Sequence, residues 1–158
     1  MKSPFAFVCI CLFSLTLTSC SKEDITTDVQ FLEASYFGNC FYYSGENPKS
    51  IVIRDQDTYE NYFARKSAVN KDCSNALLTP IDFDKYTLIG HWTGGGGCTA
   101  SYDRNVIQQG NKEVIYSVSA VYSGFCEMYI FNMNWALIPK LKNRTDVVFN
   151  IEEVYDTE

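Results

Sequence analysis

A single histidine, His91, serves the whole chain of 158 residues, and its 13 Lys and Arg never gather into a block. One imidazole cannot build a His-rich zinc site, and no CxxC pair supplies thiolates in its place. Without a clustered basic footprint the chain lacks the counter-charge that phosphate backbones require, which counts against nucleic acid as a partner. No GxSxG turn presents a nucleophilic serine. Gly94 to Gly97 runs into Cys98-Thr99-Ala100, not into Lys and Ser/Thr opening a helix, so it is no phosphate loop. Its expected role is a bulge or a turn that needs positive φ. Asp55-x-Asp57 lacks the glycine and distal Glu of a calcium loop and reads as a helix cap. No catalytic, cofactor-binding or metal-binding residue is assigned.

Long apolar runs are equally scarce. Beyond the N-terminus no stretch approaches the 18 or so residues of a spanning helix. At the N-terminus, Lys2 precedes the run Phe5 to Leu17, FAFVCICLFSLTL, which has the length of a signal-peptide core and is short for a bilayer. It ends in Leu17-Thr18-Ser19-Cys20. That aliphatic–small–small–Cys pattern resembles the lipobox of bacterial lipoproteins. The resemblance implies cleavage before Cys20, lipid on Cys20, and anchoring in a bilayer outside the cytoplasm. Several acyl chains on one cysteine make such an anchor effectively permanent, at about 0.8 kcal/mol per buried methylene. Ser21-Lys22-Glu23-Asp24 resembles the surface-export signal of Bacteroidetes lipoproteins, which points to the outer membrane and the cell surface, with the periplasmic face as alternative. The expected organisation is a signal peptide at 1–19, a lipidated tether at 20–28 and one β-rich domain at 29–158.

Residues 20–158 number 139 and carry all 19 acids with twelve of the cations, a formal charge of about −7. That length suffices for a single core. Cys9 and Cys11 leave with the signal. Cys40, Cys73, Cys98 and Cys126 remain, an even set expected to form two disulfides in an oxidising compartment. Three connectivities are possible. Sequential pairing, Cys40–Cys73 and Cys98–Cys126, is the first choice. In a simple meander, however, Cys98 and Cys126 would stand about 10 Å apart, too far for a bridge.

The periodicities predict a mostly β, α+β domain: a curved antiparallel sheet with one packed helix. Ser50 to Arg54 has strand composition. Asp55 or Asp57 caps a helix in which Tyr59, Tyr62 and Phe63 share a face, and Val69 to Pro80 is a loop. Lys85 to Thr93 reads as a strand with Tyr86, Leu88 and Trp92 on one side and His91 on the other. Thr99 to Gln108 and Glu113 to Tyr122 form a hairpin turning at Gly110-Asn111. Met128 to Leu137 alternates Tyr129, Phe131, Met133, Trp135 and Leu137 against more polar neighbours. Val147, Phe149 and Ile151 mark a last strand.

This succession carries a second resemblance. The helix, Ile81-Asp82-Phe83, a strand reaching Gly90, the Thr93–Gly97 glycines, Ile138-Pro139-Lys140 and Val147-Val148-Phe149 together resemble the C-terminal domain of the protease-complex-subunit (PrcB-like) family, over about residues 50–151. Cys98 departs from it, standing where an aromatic would follow the glycines. The family's naming member is a lipoprotein that supports a protease, so the resemblance implies a protein-binding role and no enzymatic one. His91 reads as an ordinary surface or satisfied sheet histidine. Tyr42, Tyr43, Trp92 and Tyr122 are candidates for an exposed row binding a small ligand or glycan. A hydrolase built on converging carboxylates is the third reading.

Replacing Cys20 by Ser is expected to move the protein from the membrane to the soluble fraction and to abolish incorporation of an acyl label. Unchanged labelling in that variant would overturn the lipobox assignment.

Overall fold

The computed structural model describes residues 28–37, 49–69, 79–110 and 112–156, with the backbone alone at 34–35 and 65–69. Cys20, Cys40 and Cys73, the tether, and Tyr42 and Tyr43 lie outside these residues. The elements are β1 (Gln30–Leu32), a 3₁₀ turn (Ala34–Phe37), β2 (Ser50–Ile53), α1 (Gln56–Val69), β3 (Tyr86–Gly96), β4 (Thr99–Gln109), β5 (Glu113–Ser123), β6 (Tyr129–Pro139) and β7 (Asp146–Asp156).

The mostly β, α+β class stands, but the expected single sheet is two. One has the order β1-β6-β3-β2 and is antiparallel throughout; the other has the order β4-β5-β7 and contains a parallel pair. After Gly96 the chain leaves the first sheet, builds the β4–β5 hairpin in the second, returns as β6 beside β3, and crosses again as β7. Since β5 and β7 are separated by a strand of the other sheet, they run the same way. Alternation reports which residues share a face and is silent on which sheet a strand joins.

The faces follow from the register. Leu88, Gly90 and Trp92 of β3 stand opposite Leu137, Trp135 and Met133 of β6, all on the outer face. That face meets α1: Ile53, Tyr59, Phe63, Phe83, Leu88, Met133 and Trp135 form one apolar cluster with Phe37. The inner face contributes Ile89, Ala136 and Ile138, which close against Val106, Val114, Tyr116 and Val118 of the second sheet. Helix, four-stranded sheet and three-stranded sheet thus form three layers. The perfect buried–half-buried alternation of β5 is what a strand with one covered face requires.

Asp55 is the helix cap. Its Oδ1 accepts the Thr58 N–H at 2.7 Å, and these backbone and hydroxyl donors of Thr58 hold the carboxyl below its ordinary value. Inside the helix layer, Phe37, Tyr59, Phe63 and Trp135 pack ring on ring, with centroids 4.8 to 6.3 Å apart. The Tyr59 hydroxyl donates to Thr79 O at 2.9 Å, and burial pushes its pKa up to about 12.

Gly94 to Gly97 corrects another expectation. Among the described residues positive φ occurs at Gly110 and Gly124, not in this run, and Gly94 to Gly96 continue β3. These glycines serve close approach: a Cβ at Gly94 would fall 2.7 Å from the Tyr129 hydroxyl, and one at Gly95 would strike the Tyr122 ring. Gly90 likewise admits the Trp135 ring, its missing Cβ lying 2.8 Å from the Met133 methyl as well. Gly90→Ala is therefore expected to destabilise the domain by about 1–3 kcal/mol through overpacking. Gly96→Ala, whose Cβ would meet nothing closer than Met128 O at 3.8 Å, should stay within about 0.5 kcal/mol of the parent. Denaturant melts of the two variants check this, and equal losses would refute it.

Candidate functional site

Three places in the fold gather the residues that the sequence singled out. The first collects the family-resemblance motifs. Lys140 reaches back across the end of the sheet, where its Nζ donates to Arg54 O at 2.7 Å and Phe83 O at 2.6 Å. Arg54 answers by donating to Lys142 O at 3.0 Å and Thr145 O at 2.7 Å. Asp82 accepts the Asp84 N–H at 3.1 Å and pairs with Lys85 at 2.9 Å, and the Lys85 ammonium, more than the backbone donors, holds its carboxyl low. The depression they border, about 370 Å³ and open, is lined by Arg54, Asp55, Gln56, Ile81, Asp82, Phe83, Asp84 and Lys140. Its cations are spent on main-chain carbonyls, so the Asp82-Phe83 and Pro139-Lys140 motifs act as a latch between the strand ends.

The second lies between the sheets. His91 is buried on the inner face, its Nδ1 2.7 Å from Ser50 Oγ on β2. Burial lowers its pKa, with Lys49 adding and Glu153 opposing. Asn134 donates to His91 O at 3.2 Å and Thr93 Oγ1 at 2.9 Å, Asn132 donates to Asn134 Oδ1 at 2.8 Å, and the Tyr116 hydroxyl donates to Asn134 O at 3.2 Å. Of the two expected roles, surface or sheet histidine, burial selects the second, and its partner was not foreseen. Ser50 and His91 are 41 residues apart and meet because the β2–β3 register places them opposite one another. The only available signal was that both fall on strands, on the face away from the helix. A hydroxyl bonded to imidazole is the pairing of a nucleophile with its base, two of the three members of a triad. Here the ring is 8 % exposed and rests 5.9 Å from Phe149, and the nearby Glu153 carboxylate accepts the Gly94 N–H at 3.1 Å. Ser50 bonds to His91, and Asn132, Asn134, Thr93 and Tyr116 bond among themselves and to main-chain carbonyls.

The third is the end of the sandwich where β3 passes into β4 and β5 into β6. Gly97 N–H donates to Met128 O at 3.1 Å and Cys98 N–H to Ser123 O at 2.7 Å. Cys98 and Cys126 are bridged, with Cα atoms 4.8 Å apart. The obstacle expected from a simple meander disappears because β4 and β6 belong to different sheets, so the two connections cross at one end. Gly124, at φ 87°, packs on the bridge, where a Cβ would lie 2.7 Å from Cys98 Sγ. Around this strap stand Phe125 (82 % exposed), Met128 (55 %), Tyr129 (67 %) and Phe131 (49 %), and Phe131 stacks on Trp92 at 5.2 Å. Tyr155 lies at the same end, stacked on Tyr122 at 5.5 Å. The expected exposed row is thus partly misplaced: Tyr122 is buried, its hydroxyl pushed up to about 12 by burial, and Trp92 is half-buried.

No group of three or more His, Cys, Asp or Glu able to hold a metal occurs among the described residues, and no described helix is long and apolar enough to cross a membrane. Neither a family model, nor a curated protein, nor a solved structure matches the chain.

The lowered pKa of His91 has a stability consequence. The unfolded chain binds the proton at its ordinary value, 6.5, before the folded one does, so the fold keeps this contribution above 6.5 and loses it as pH falls toward the folded pKa. Asp55 and Asp82, also lowered, lose theirs in the separate window below 3.8. In His91→Gln the slope of Tm against pH just below 6.5 is expected to flatten while the acid limb persists. Thermal melts across that range check it, and an unchanged slope would refute the assignment.

Proposed function

We propose that the chain is an extracytoplasmic lipoprotein, tethered to the outer membrane through Cys20 and not itself catalytic, that binds or stabilises a partner protein through its aromatic end. The observation that carries this reading is the group Phe125, Met128, Tyr129 and Phe131, exposed together at one end of the sandwich. Contiguous exposed aromatics mark interaction surfaces, since water contact leaves their burial energy unused. Their position supports the reading too. β1 pairs Gln30 with Leu137, so the tether meets the fold eight residues along β6 from Tyr129. At about 3.4 Å per residue that is roughly 27 Å between the aromatic end and the point where the chain enters β1. The resemblance to the protease-complex-subunit family supports a protease as the class of partner. The exposed Tyr129 ring, lying across Gly94, also supports a second reading, a small ligand or glycan stacked on its open face.

Photo-crosslinking amino acids placed at Phe125 or Tyr129 in intact cells are expected to trap one protein reproducibly, identified by mass spectrometry. The Phe125→Ser, Met128→Ser pair should reduce the yield from the Tyr129 position several-fold without lowering Tm. Trapping at equal yield from a position on the Lys140–Arg144 loop would overturn the assignment of the surface.

A further inference from the structure

Charge is unevenly distributed over the two ends of the sandwich. Among the described side chains, Arg54, Lys85, Lys112, Lys140, Lys142 and Arg144 stand where β2 and β6 end and β3, β5 and β7 begin. Arg104 lies mid-strand, paired with Glu33 at 3.2 Å, and Lys49 is level with Trp92. Beyond Trp92, at the aromatic end, the described ionised groups are Glu127, Glu153 and Asp156. Exposed rings and the exposed Glu127 carboxylate therefore stand on the same connection, with no described cation beside them.

Resting on the docking role proposed above, we infer that the aromatic end receives a segment of a partner protein in which Arg or Lys alternates with apolar side chains. An exposed ring face attracts a guanidinium or ammonium group, by about 0.5–1 kcal/mol in water and more when desolvated. The Glu127 carboxylate completes the pairing, while apolar residues between the cations cover Phe125, Met128 and Phe131. An acidic segment meets repulsion and no described counter-ion. A glycan needs side-chain donors and acceptors beside its stacking ring, yet the polar groups behind Tyr129 face inward: Glu153 holds Gly94 N–H, and Asn132 holds Asn134.

The test is fluorescence anisotropy on the full chain in detergent micelles. Three labelled nonapeptides serve as probes: Arg alternating with Leu and Trp, the same sequence with Glu for Arg, and the Arg sequence with Ser for Leu and Trp. A linear hexasaccharide serves as competitor. The Arg–apolar peptide is expected to bind roughly tenfold tighter than either relative. Glu127→Lys should remove most of its advantage over the Glu peptide, and Phe125→Ser with Tyr129→Ser should remove binding of all three. Equal affinity for the Glu and Arg peptides would overturn the inferred chemistry while leaving the docking role intact. Displacement of the Arg peptide by the hexasaccharide would overturn it in favour of a glycan. Binding that survives in the Phe125→Ser, Tyr129→Ser variant would overturn it too, and with a crosslink yield that the surface substitutions do not change, would remove the docking role itself.

Discussion

Everything in this fold is arranged around β3, which gives up side chains where its neighbours bring rings. Gly90 receives Trp135, Gly94 receives Tyr129 and Gly95 receives Tyr122. A glycine inside a strand costs about 0.5–1 kcal/mol against alanine. Each ring it admits brings roughly 150–250 Å² of surface to the contact. The exchange therefore favours the fold wherever the ring is fully covered. Gly90 and Gly95 meet that condition, for Trp135 and Tyr122 are buried on opposite faces of the strand. Gly94 does not, because Tyr129 keeps two-thirds of its surface in water. The same device that builds the core on two faces leaves an open ring at the sheet's end.

Legibility in the sequence divides along the same physical line. Local signals narrowed the helix cap to Asp55 or Asp57 and identified the Gly110 turn and the alternation of β5 and β6, because each depends on residues within a few positions of one another. Sheet membership was not legible. The strands of β4, β5 and β7 alternate as they would in one long meander, and only the crossing at Gly97 and Cys98 assigns them to a second layer. The Cys98–Cys126 pairing looked geometrically awkward for that reason alone. Exposure was equally hidden: Tyr122 and Tyr129 both sit on alternating strands, but Tyr122 points between the sheets and Tyr129 onto the outer face beyond the apolar cluster of α1. Periodicity names the face and not its cover. Ser50 and His91 could be placed on strands but not paired, since pairing requires the β2–β3 register.

The resemblance motifs take on a physical meaning once the strand ends are seen together. Asp82-Phe83 and Pro139-Lys140 are far apart in sequence, yet Lys140 joins them through one ammonium donating to two carbonyls. Such carbonyls sit where strands have ended and ladder partners have run out, so a side-chain donor satisfies groups that would otherwise depend on water. Residues of this kind are set by the fold's geometry and carry no information about chemistry at a site. The latch end and the aromatic end therefore do different work: one closes the sandwich with polar bonds, the other leaves apolar surface open.

The strap across the aromatic end bears on how that surface could act. An exposed loop of Phe, Met and Tyr on a free connection would lose backbone entropy on binding, about 1–2 kcal/mol for each residue fixed. Here the Cys98–Cys126 bridge joins the two connections, and main-chain bonds from Gly97 to Met128 and from Cys98 to Ser123 fix the residues on either side. Much of the ordering is completed when the domain folds, so a binding event need not supply it again. Exposed aromatics are a solubility burden to any isolated domain. Cys98 also stands where the resemblance would place an aromatic, so the bridge occupies a position at which the resemblance fails. A covalent tie at this point holds in place the connection that carries Phe125 and Met128, the most exposed ring and thioether among the described residues, and so preorganises the surface on which the proposed docking role rests.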